Sequence, residues 1–357
     1  MAREIGIDLG TSSVLICNKA QKIVLEEPSV VAYDCETGQI KKIGREAEAM
    51  IGRTPPHIAV VRPLKDGVIS HYDMTLCLLQ WALRRAMGSV AYRPRMVICV
   101  PGGITEVEER ALVDAATQAG ASRTYLIEEP VAAAMGAGVD INAPKGTMVV
   151  DIGGGTTDIA VMSMGGVVAS DSVKCGGDKF DEAIIRYMRR RHNLFIGDRM
   201  AEEVKFRIGN VFPGSGRQEQ HAEDPADGAQ AQEKTIPGIA DENSMEVRGR
   251  CLVEGLPKMI TVTERDIFEA MEETTQQILD AVCRVVEKIP TDLLGDISEG
   301  GIVLTGGGAL LPGIDKRIAK AAGIPCRVAD DPLHCVARGT GMALGHLSAL
   351  HEGALKR

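Results

Sequence analysis

Aromatic side chains are scarce in this sequence. Phenylalanine, tyrosine and tryptophan together make up 3% of the 357 residues, whereas hydrophobic residues as a whole make up 45%. A chain of this length with that much apolar material can bury a sizeable core. The core must therefore be aliphatic.

The sequence also lacks an excess of positive charge and any long apolar run. Its formal net charge is −9 at pH 7, which argues against general nucleic-acid binding because such proteins normally present a basic face. No apolar run is long enough to span a bilayer. The start, Met1-Ala2-Arg3-Glu4, leads directly into a predicted strand and leaves no room for a signal peptide.

Paired cysteines are missing as well. The nine cysteines are odd in number and scattered, none forms a CxxC pair, and most have apolar neighbours. Disulfide frameworks and zinc sites show regular paired spacings. We therefore expect buried thiols in a reducing cytoplasm.

What the chain does contain is a glycine-rich turn between two apolar runs, at residues 148–161. The first run ends with Asp151, three glycines and two threonines follow, and a second run begins. Glycines let successive backbone N–H groups converge on an anion, and hydroxyl groups add donors. This pattern is typical of a phosphate-binding turn, although a plain tight hairpin has the same signature.

Residues 5–16 repeat this pattern, with an apolar strand, Asp8, a glycine, hydroxyl residues and a second strand. An internal repeat predicts two similarly built halves facing one ligand. Asp8 and Asp151 would then approach that ligand from opposite sides. Mg²⁺ keeps most of its waters, so two carboxylates reaching it through water suit a Mg-nucleotide. For either aspartate alone, a turn cap at a strand end is the simpler explanation.

The remaining pattern predicts an α/β protein. The apolar run 96–100 is typical of a buried parallel strand, and Thr105 with Glu108 has capping-box spacing before a helix that ends at Gly120. Helices are also predicted at 46–51, 73–87, 131–135 and 263–289, with Pro130 as the first helical residue of the third. A length of 357 residues suits two lobes.

Residues 213–243 break this pattern. They are rich in Gly, Pro, Gln, Ala and acidic residues and have no aromatic residue. Such a composition cannot bury enough apolar surface to offset the cost of ordering. We expect a solvated surface tether, and the alternative is an acidic partner site.

Several stretches carry a family resemblance: EEPSVVAYD (26–34), RPLKDGVI (62–69), IEEP (127–130), VRGRCLVEGLPK (247–258), LTGGGALLPG (304–313) and DPLHCVARGTGMAL (331–344). With the paired turns, they resemble the actin, Hsp70 and sugar-kinase ATPase superfamily, and within it the MreB/Mbl family of bacterial cell-shape actins. The resemblance implies an actin-like α/β fold with two lobes, each a mixed sheet with flanking helices and a smaller inserted subdomain. It implies four parts: a first core of 1–32, 67–145 and 333–357; an insertion of 33–66; a second core of 146–180 and 257–332; and an insertion of 181–256.

The resemblance also implies site residues. Glu129 would orient the water that attacks the γ-phosphate, with Glu128 the less favoured candidate; Thr156 would hold the water or the γ-phosphate, and Asp151 with Asp8 would bind Mg²⁺. Complementing the helix dipole remains the alternative role for Glu129. The implied ATP-binding residues are Asp8, Gly10, Thr11, Ser12, Ser13, Gly153, Gly154, Gly155, Thr156, Glu202, Lys205, Gly306, Gly307, Gly308 and Leu310. From the residues alone, the last four are equally typical of a strand-to-helix turn, and Glu202 and Lys205 of a solvated helix face.

The function implied by the resemblance is an ATP-dependent, slowly ATP-hydrolysing filament protein that determines rod shape with the cell-wall synthesis machinery. Its partners would be other copies of itself and the inner face of the cytoplasmic membrane. Val90, Ala91 and Tyr92 form a small apolar loop flanked by arginines, which suits anionic lipid, although a plain helix–strand connection fits equally well. A sugar-type kinase of the same superfamily is the alternative, and a chaperone of the Hsp70 type would need a peptide-binding domain.

Overall fold

The computed structural model describes residues 4–88, 93–212 and 243–352 of the chain. It contains two compact units. The first comprises Met1–Lys179, Gln276–Leu310 and Ile318–Arg357, and the second comprises Phe180–Thr275 and Leu311–Arg317. Each unit is described by itself below, and the division into four parts remains a prediction.

The first unit begins with an antiparallel meander that is extended by parallel strands. The first strands are β1 (Glu4–Leu9), β2 (Ser13–Asn18), β3 (Ile23–Pro28), β4 (Val31–Asp34), β5 (Ile40–Ile43), β6 (Ile58–Val61), β7 (Leu64–Lys65), β8 (Val68–Ile69), β9 (Arg95–Val100) and β10 (Arg123–Glu128). A six-stranded sheet has the order β19-β10-β9-β1-β2-β3, in which β19 is His351–Glu352. Strand β1 is antiparallel to β2 and parallel to β9, and β9 is parallel to β10.

A second sheet in the same unit repeats this plan. Its strands are β11 (Thr147–Ile152), β12 (Thr157–Ser163), β13 (Gly166–Val173), β17 (Ile302–Thr305) and β18 (Cys326–Val328), in the order β13-β12-β11-β17-β18. Strand β11 is antiparallel to β12 and parallel to β17, and β17 is parallel to β18. The order matches β3-β2-β1-β9-β10, so the repeat predicted from the two glycine turns extends to five strands.

The short strands of the first unit form two further sheets. Strands β5, β4 and β6 make a three-stranded antiparallel sheet, and β7 pairs with β8. The hairpin β7–β8 turns at Asp66 and Gly67, both of which have positive φ. Glycine adopts this conformation readily, and aspartate is among the few other residues that tolerate it.

Helices lie between these strands along the chain in both units. The helices are α1 (Arg45–Glu48), α2 (Tyr72–Met87), α3 (Glu106–Ala119), α4 (Glu129–Gly136), α5 (Gly177–His192), α6 (Asp198–Ile208), α7 (Glu264–Val286), α8 (Thr291–Gly300), α9 (Ile314–Ala322) and α10 (Cys335–Ala343). The predicted capping box of α3 is confirmed, since Thr105 Oγ1 accepts from the N–H of Glu108 and the Glu108 carboxylate accepts from the N–H of Thr105. Gly120 ends α3 in the left-handed conformation, as predicted. None of the helices in the described ranges is long and apolar enough to cross a bilayer.

Several helix boundaries differ from the prediction by one to three residues. The helix predicted at 46–51 ends at Glu48, because the hydrogen bonds of Met50 and Ile51 shift to the tighter i→i+3 pattern. The same tightening at Lys288 and Ile289 ends α7 at Val286. Pro130 is the second rather than the first residue of α4, so the helix begins at Glu129.

The second unit contains a three-stranded antiparallel sheet. Its strands are β14 (Leu194–Phe195), β15 (Ser244–Cys251) and β16 (Pro257–Thr263), in that order. Val247 and Cys251 are buried, whereas Arg248 and Arg250 between them are exposed. One face of the sheet is therefore packed and the other faces solvent.

The core is aliphatic, as the shortage of aromatic residues predicts. The large side chains that are fully buried are isoleucine, leucine and methionine, apart from Phe180. One buried cluster packs β1, β2 and β9 against α2 and α3, and another packs β9–β12 against α4 and α10. These clusters hold the ends of β1 and β11 in place.

Candidate functional site

The two glycine turns close in the same way. The N–H of Gly10 donates to the carbonyl oxygen of Ser13 at 2.9 Å, and the N–H of Gly153 donates to that of Thr156 at 2.9 Å. Each turn connects the first two strands of its sheet, directly after the strand that carries Asp8 or Asp151. The two aspartates therefore occupy equivalent positions in the repeat.

The tips of the two turns lie against each other within the first unit. A Cβ atom on Gly154 would lie 2.0 Å from Ser12 Oγ, and one on Gly155 would lie 2.6 Å from Thr11 Oγ1. Thr11 Oγ1 also accepts a hydrogen bond of 3.1 Å from the N–H of Gly67. The close approach of the tips by itself requires glycine at both positions, whether or not a ligand also requires it.

Backbone donors at these tips remain available. Within the described ranges, the N–H groups of Thr11, Ser12, Gly154 and Gly155 form no hydrogen bond with another protein group. Oriented N–H groups of this kind create a local positive potential that attracts anions. The two facing tips can therefore bind a phosphate chain.

Asp8 and Asp151 lie beside the turns in surroundings that disfavour their charge. Burial raises the pKa of Asp8 to about 6, and the thiol of Cys99, 3.4 Å from Asp8 Oδ1, lowers it in part. Burial raises the pKa of Asp151 to about 7, although Thr305 Oγ1 donates to Asp151 Oδ1 at 2.7 Å and lowers it in part.

Glu129 adds a third carboxyl group to this cluster. It is the first residue of α4, immediately after β10, and it is 9% exposed, whereas Glu128 before it is exposed. Burial, and then the charges of Asp158, Asp151 and Asp8 in that order, raise the pKa of Glu129 well above its usual value. Glu128 occupies the cap position of α4, so Glu129 is not its cap. Because burial and three neighbouring acids disfavour the charged form of Glu129, complementing the helix dipole does not explain this residue.

Asp158 is the fourth carboxyl group of the cluster and was not predicted. It lies opposite Asp151 in the β11–β12 ladder, is 1% exposed, and accepts a hydrogen bond of 2.8 Å on Oδ1 from the N–H of Gly102. Burial raises its pKa, and it is hydrogen-bonded to Glu129. In the described part of the chain, no N–H or hydroxyl group donates to Asp158 Oδ2.

A signal for Asp158 was present in the sequence. In a hairpin closed by Gly153 and Thr156, counting outward places residue 158 opposite residue 151. The contact between Asp158 and Glu129 joins β12 to α4, so counting residues along one hairpin could not predict it. Thr156, which was predicted, is 5% exposed, and its hydroxyl group is hydrogen-bonded to Asp158.

Four carboxyl groups with raised pKa values form a site that favours a cation. A bound divalent ion would stabilise their charged forms and lower their pKa values again. Across the described ranges, no three His, Cys, Asp or Glu side chains converge closely enough to hold a metal ion directly. The residues present therefore fit Mg²⁺ that keeps its water ligands and is bound by phosphate.

The profile of the MreB/Mbl protein family matches residues 2–352. The chain belongs to the MreB/Mbl family. It is 45% identical over 356 residues to the cell shape-determining protein Mbl of Bacillus cereus, with 99% of each chain covered. It is 44% identical over 360 residues to the cell shape-determining protein MreB of Escherichia coli K12, with 99% of this chain and 96% of the relative covered.

Solved structures confirm the predicted actin-like α/β fold. MreB5 of Spiroplasma citri bound to AMPPNP matches with a TM-score of 0.85 and 34% identity, covering 98% of this chain and 97% of that one. The MamK double helical filament matches with a TM-score of 0.74 at 21% identity, which shows likeness of fold alone, and the match covers 96% and 98% of the two chains. With the MreB/Mbl family matched over nearly the whole chain, the sugar-kinase alternative is not favoured.

The Gly306-Gly307-Gly308 segment packs against the second glycine turn of this MreB/Mbl chain. A Cβ atom on Gly306 would lie 2.4 Å from the carbonyl oxygen of Ile152, and one on Gly308 would lie 2.2 Å from Ile152 Cγ2. Packing against β11 thus requires both glycines. Leu310 is 54% exposed at the end of a short 3₁₀ helix. The adenine contact predicted here remains a prediction.

Two further predicted nucleotide-binding residues belong to the second unit. Glu202 and Lys205 are on α6 in the second unit, where Lys205 is 9% exposed and Lys205 Nζ lies 2.8 Å from Asp181 Oδ2. The solvated-face interpretation is therefore wrong for Lys205, which is buried in an ion pair. The predicted membrane loop, Val90 to Tyr92, and the tether at 213–242 lie outside the described residues.

Proposed function

We propose that this protein binds ATP with Mg²⁺ at the two facing turns, hydrolyses it slowly and polymerises into filaments that determine cell shape. The observation that carries this proposal is the burial of Glu129 beside Asp8 and Asp151, which lie on the strands that lead into the two turns with available N–H groups. A structural cap would not need this cluster of acids.

The residues have distinct roles in the proposed reaction. The N–H groups of Thr11, Ser12, Gly154 and Gly155 bind the phosphate oxygens. Asp8 and Asp151 would hold Mg²⁺ through its water ligands, and the bound ion would supply positive charge that neutralises the developing charge on the phosphates. Phosphoryl transfer depends mainly on such orientation and charge neutralisation.

Glu129 orients the attacking water in this proposal. The water oxygen forms a bond to the γ-phosphorus while the bond between that phosphorus and the ADP oxygen breaks, and the proton that the water loses passes to an oxygen of the departing phosphate. In its carboxylate form Glu129 accepts a hydrogen bond from this water, and Thr156 approaches the same region from the second turn. Asp158, hydrogen-bonded to Glu129, limits the orientations open to that carboxyl group.

The relatives support the remaining parts of the proposal. MreB5 of Spiroplasma citri was solved with AMPPNP and with ADP, and the curated relatives are named cell shape-determining proteins. We extend to this chain nucleotide-controlled self-assembly, attachment to the inner face of the cytoplasmic membrane and cooperation with the cell-wall synthesis machinery. A change of conformation on nucleotide binding would couple nucleotide state to assembly.

The proposal is tested by measuring phosphate release and light scattering together, in Mg-ATP and over a range of protein concentrations. We expect phosphate release per molecule to rise with concentration as filaments form, without any added acceptor. Asp8→Ala and Asp151→Ala should abolish both signals. ATP consumption that requires an added sugar would contradict the proposal and favour the kinase, and electron microscopy of the same samples would show whether scattering reports filaments.

A further inference from the structure

One buried serine holds the first glycine turn from outside the hairpin. Ser29 lies between β3 and β4 and is 0% exposed. Its Oγ donates to the carbonyl oxygen of Gly10 at 2.8 Å. Its backbone N–H donates to the carbonyl oxygen of Ser12 at 3.0 Å, and this oxygen also accepts from Arg62 Nη1 at 3.3 Å. Two carbonyl groups of the turn are therefore bonded to residues beyond the hairpin.

The bond from Ser29 to Gly10 also fixes the direction of an N–H group. A peptide unit is planar and trans, so its C=O and its N–H point in opposite directions. The carbonyl group of Gly10 and the N–H of Thr11 belong to the same peptide unit. Because Ser29 holds the carbonyl oxygen on one side, the N–H of Thr11 is directed to the opposite side. That N–H is one of the available donors at the tips.

The second glycine turn has the same arrangement, but its anchors are backbone groups. The N–H of Gly177, the first residue of α5, donates to the carbonyl oxygen of Gly153 at 3.0 Å. The N–H of Asp178 donates to the carbonyl oxygen of Gly154 at 2.8 Å. These carbonyl groups share their peptide units with the N–H groups of Gly154 and Gly155, which are also available donors. Donors on both tips thus belong to peptide units that are anchored from behind.

The contact between α5 and the second turn depends on Gly176, which directly precedes the helix. A Cβ atom on Gly176 would lie 2.6 Å from the carbonyl oxygen of Gly153 and 2.8 Å from that of Gly154. A side chain at this position must therefore move the start of α5 away from both carbonyl groups. Gly176 gives access to the second anchor by mutation, as Ser29 does to the first.

We propose that Ser29 is a positioning residue for phosphate binding, because its hydroxyl group holds the N–H of Thr11 toward the phosphate chain. The start of α5 does the same for the donors of the second turn. Donors that are oriented before the ligand arrives bind an anion without the cost of reorganisation. A buried hydroxyl group also needs an acceptor for stability alone. Positioning differs from that role because its loss affects only ligands that carry phosphate.

This inference rests on the proposed function, since it takes the available N–H groups of both tips to bind the phosphates of ATP. It adds to that function a residue outside both turns that controls phosphate affinity without touching the ligand. Nucleotide binding by the unchanged protein tests the proposed function, and the change caused by Ser29 variants tests the inference. The two can therefore fail separately.

The test is calorimetric titration of the full chain with Mg-AMPPNP and, separately, with adenosine. We expect Ser29→Ala to raise the dissociation constant for AMPPNP about tenfold, because one hydrogen bond to a charged phosphate is misaligned. The dissociation constant for adenosine should not change. Ser29→Cys keeps a weaker donor at the same position and should lose less affinity than Ser29→Ala. Gly176→Ala should weaken AMPPNP binding at least as much as Ser29→Ala, since two donors lose their anchors.

The chain offers a matched control for each change. Thr275 is 0% exposed and its Oγ1 donates to the carbonyl oxygen of Met271 at 2.9 Å, so Thr275→Val removes a buried hydroxyl group from another carbonyl. Gly197 precedes α6, and a Cβ atom there would meet no described atom within 4 Å. Thr275→Val and Gly197→Ala should bind AMPPNP as the unchanged protein does. Thermal unfolding without nucleotide shows how much stability each variant loses.

Unchanged AMPPNP affinity in folded Ser29→Ala protein would overturn the inference and leave the proposed function standing. An equal loss of adenosine affinity, or an equal loss in the Thr275→Val control, would also overturn it, because either result would assign Ser29 a structural role alone. If Ser29→Ala does not fold, unchanged AMPPNP affinity in Ser29→Cys and Gly176→Ala would have the same meaning. If the unchanged protein does not bind AMPPNP, both the proposed function and the inference fail.

Discussion

Two adjacent glutamates of this protein differ in how deeply they are buried, although burial and the charge of Asp158 raise the pKa of both. Glu129 is buried in a cluster of acids, whereas Glu128, one residue earlier, is exposed. The backbone reversal from β10 into α4 separates their side chains, so this pair provides a matched test of the proposed chemistry.

Glu129→Gln should slow phosphate release by about 10² or more, since positioned groups of this kind typically contribute that much. Glu128→Gln should release phosphate at nearly the unchanged rate. ATP affinity should remain within a few-fold in both variants, because neither side chain is assigned to phosphate binding. Single-turnover phosphate release with equilibrium nucleotide titration measures the two effects separately. Equal losses in the two variants would contradict the assignment.

The raised pKa values of Asp8 and Asp151 predict how stability depends on pH. Both groups have pKa values near 3.8 when unfolded and about 6 and about 7 when folded, because burial disfavours their charge. The folded state therefore binds more protons than the unfolded state between pH 4 and pH 7. The contribution of these two groups to stability should be largest at about pH 4 and should be lost as the pH rises through 7.

We expect the free energy of unfolding without Mg²⁺ or nucleotide to fall by a few kcal/mol, as an order of magnitude, between pH 5 and pH 8. Urea unfolding at both pH values measures this. Asp151→Asn should reduce the slope, since it removes one titrating group and its amide oxygen can still accept from Thr305. Mg-ATP should stabilise the protein more at pH 8 than at pH 5. A steeper slope in Asp151→Asn would contradict the assignment.

At the scale of elements, the two hairpin turns of the repeat pack tip against tip. The tips of the β1–β2 and β11–β12 hairpins leave no room for a side chain at Gly154 or Gly155. A Cβ atom added at each position would contact different atoms. A Cβ on Gly154 meets the flexible hydroxyl group of Ser12, whereas one on Gly155 also meets the backbone of Asp66 at 3.0 Å. A side chain can yield and a backbone segment cannot do so without moving its hairpin.

Gly154→Ala should therefore weaken ATP binding and lower the melting temperature, and Ser12→Ala added to it should restore part of both. Gly155→Ala should be equally harmful, and Thr11→Ala should not rescue it. Nucleotide titration and thermal unfolding of the singles and doubles form a double-mutant cycle. Ser12→Ala alone is the control for the lost hydroxyl group. Rescue of both glycine variants, or of neither, would show that the tips do not pack in this way.

At the scale of the whole molecule, the proposed activity requires assembly and attachment beyond what one chain can do. The loop at 90–92 is predicted as a membrane contact. It can be altered without changing any residue that is assigned to nucleotide binding.

Val90→Ser with Tyr92→Ser should abolish sedimentation with anionic liposomes if the loop is the principal contact. Filament formation in solution, followed by light scattering with Mg-ATP, should be unaffected. A second experiment neutralises Arg84 and Arg85, which are exposed on the preceding helix α2. It removes charge alone, so vesicle binding should become less sensitive to salt. Unchanged sedimentation of the serine variant would contradict the loop assignment.

The sequence by itself determined the local features of this protein. The capping box at Thr105 and Glu108, the left-handed end at Gly120 and the two glycine turns follow from hydrogen bonds and backbone preferences among neighbouring residues. A neighbour's identity can be read directly from the chain, so these features were predictable, as were the α/β class and the family.

The tertiary structure alone decided which distant residues meet. Asp158 faces Glu129, and Lys205 is buried against Asp181, through the packing of elements far apart in the chain. Likewise, the N–H of Leu252 donates to the carbonyl oxygen of Asn193 at 2.8 Å and joins the β15–β16 hairpin to the residue that follows α5. Such contacts depend on strand order and on desolvation, which are properties of the packed molecule rather than of any stretch of sequence.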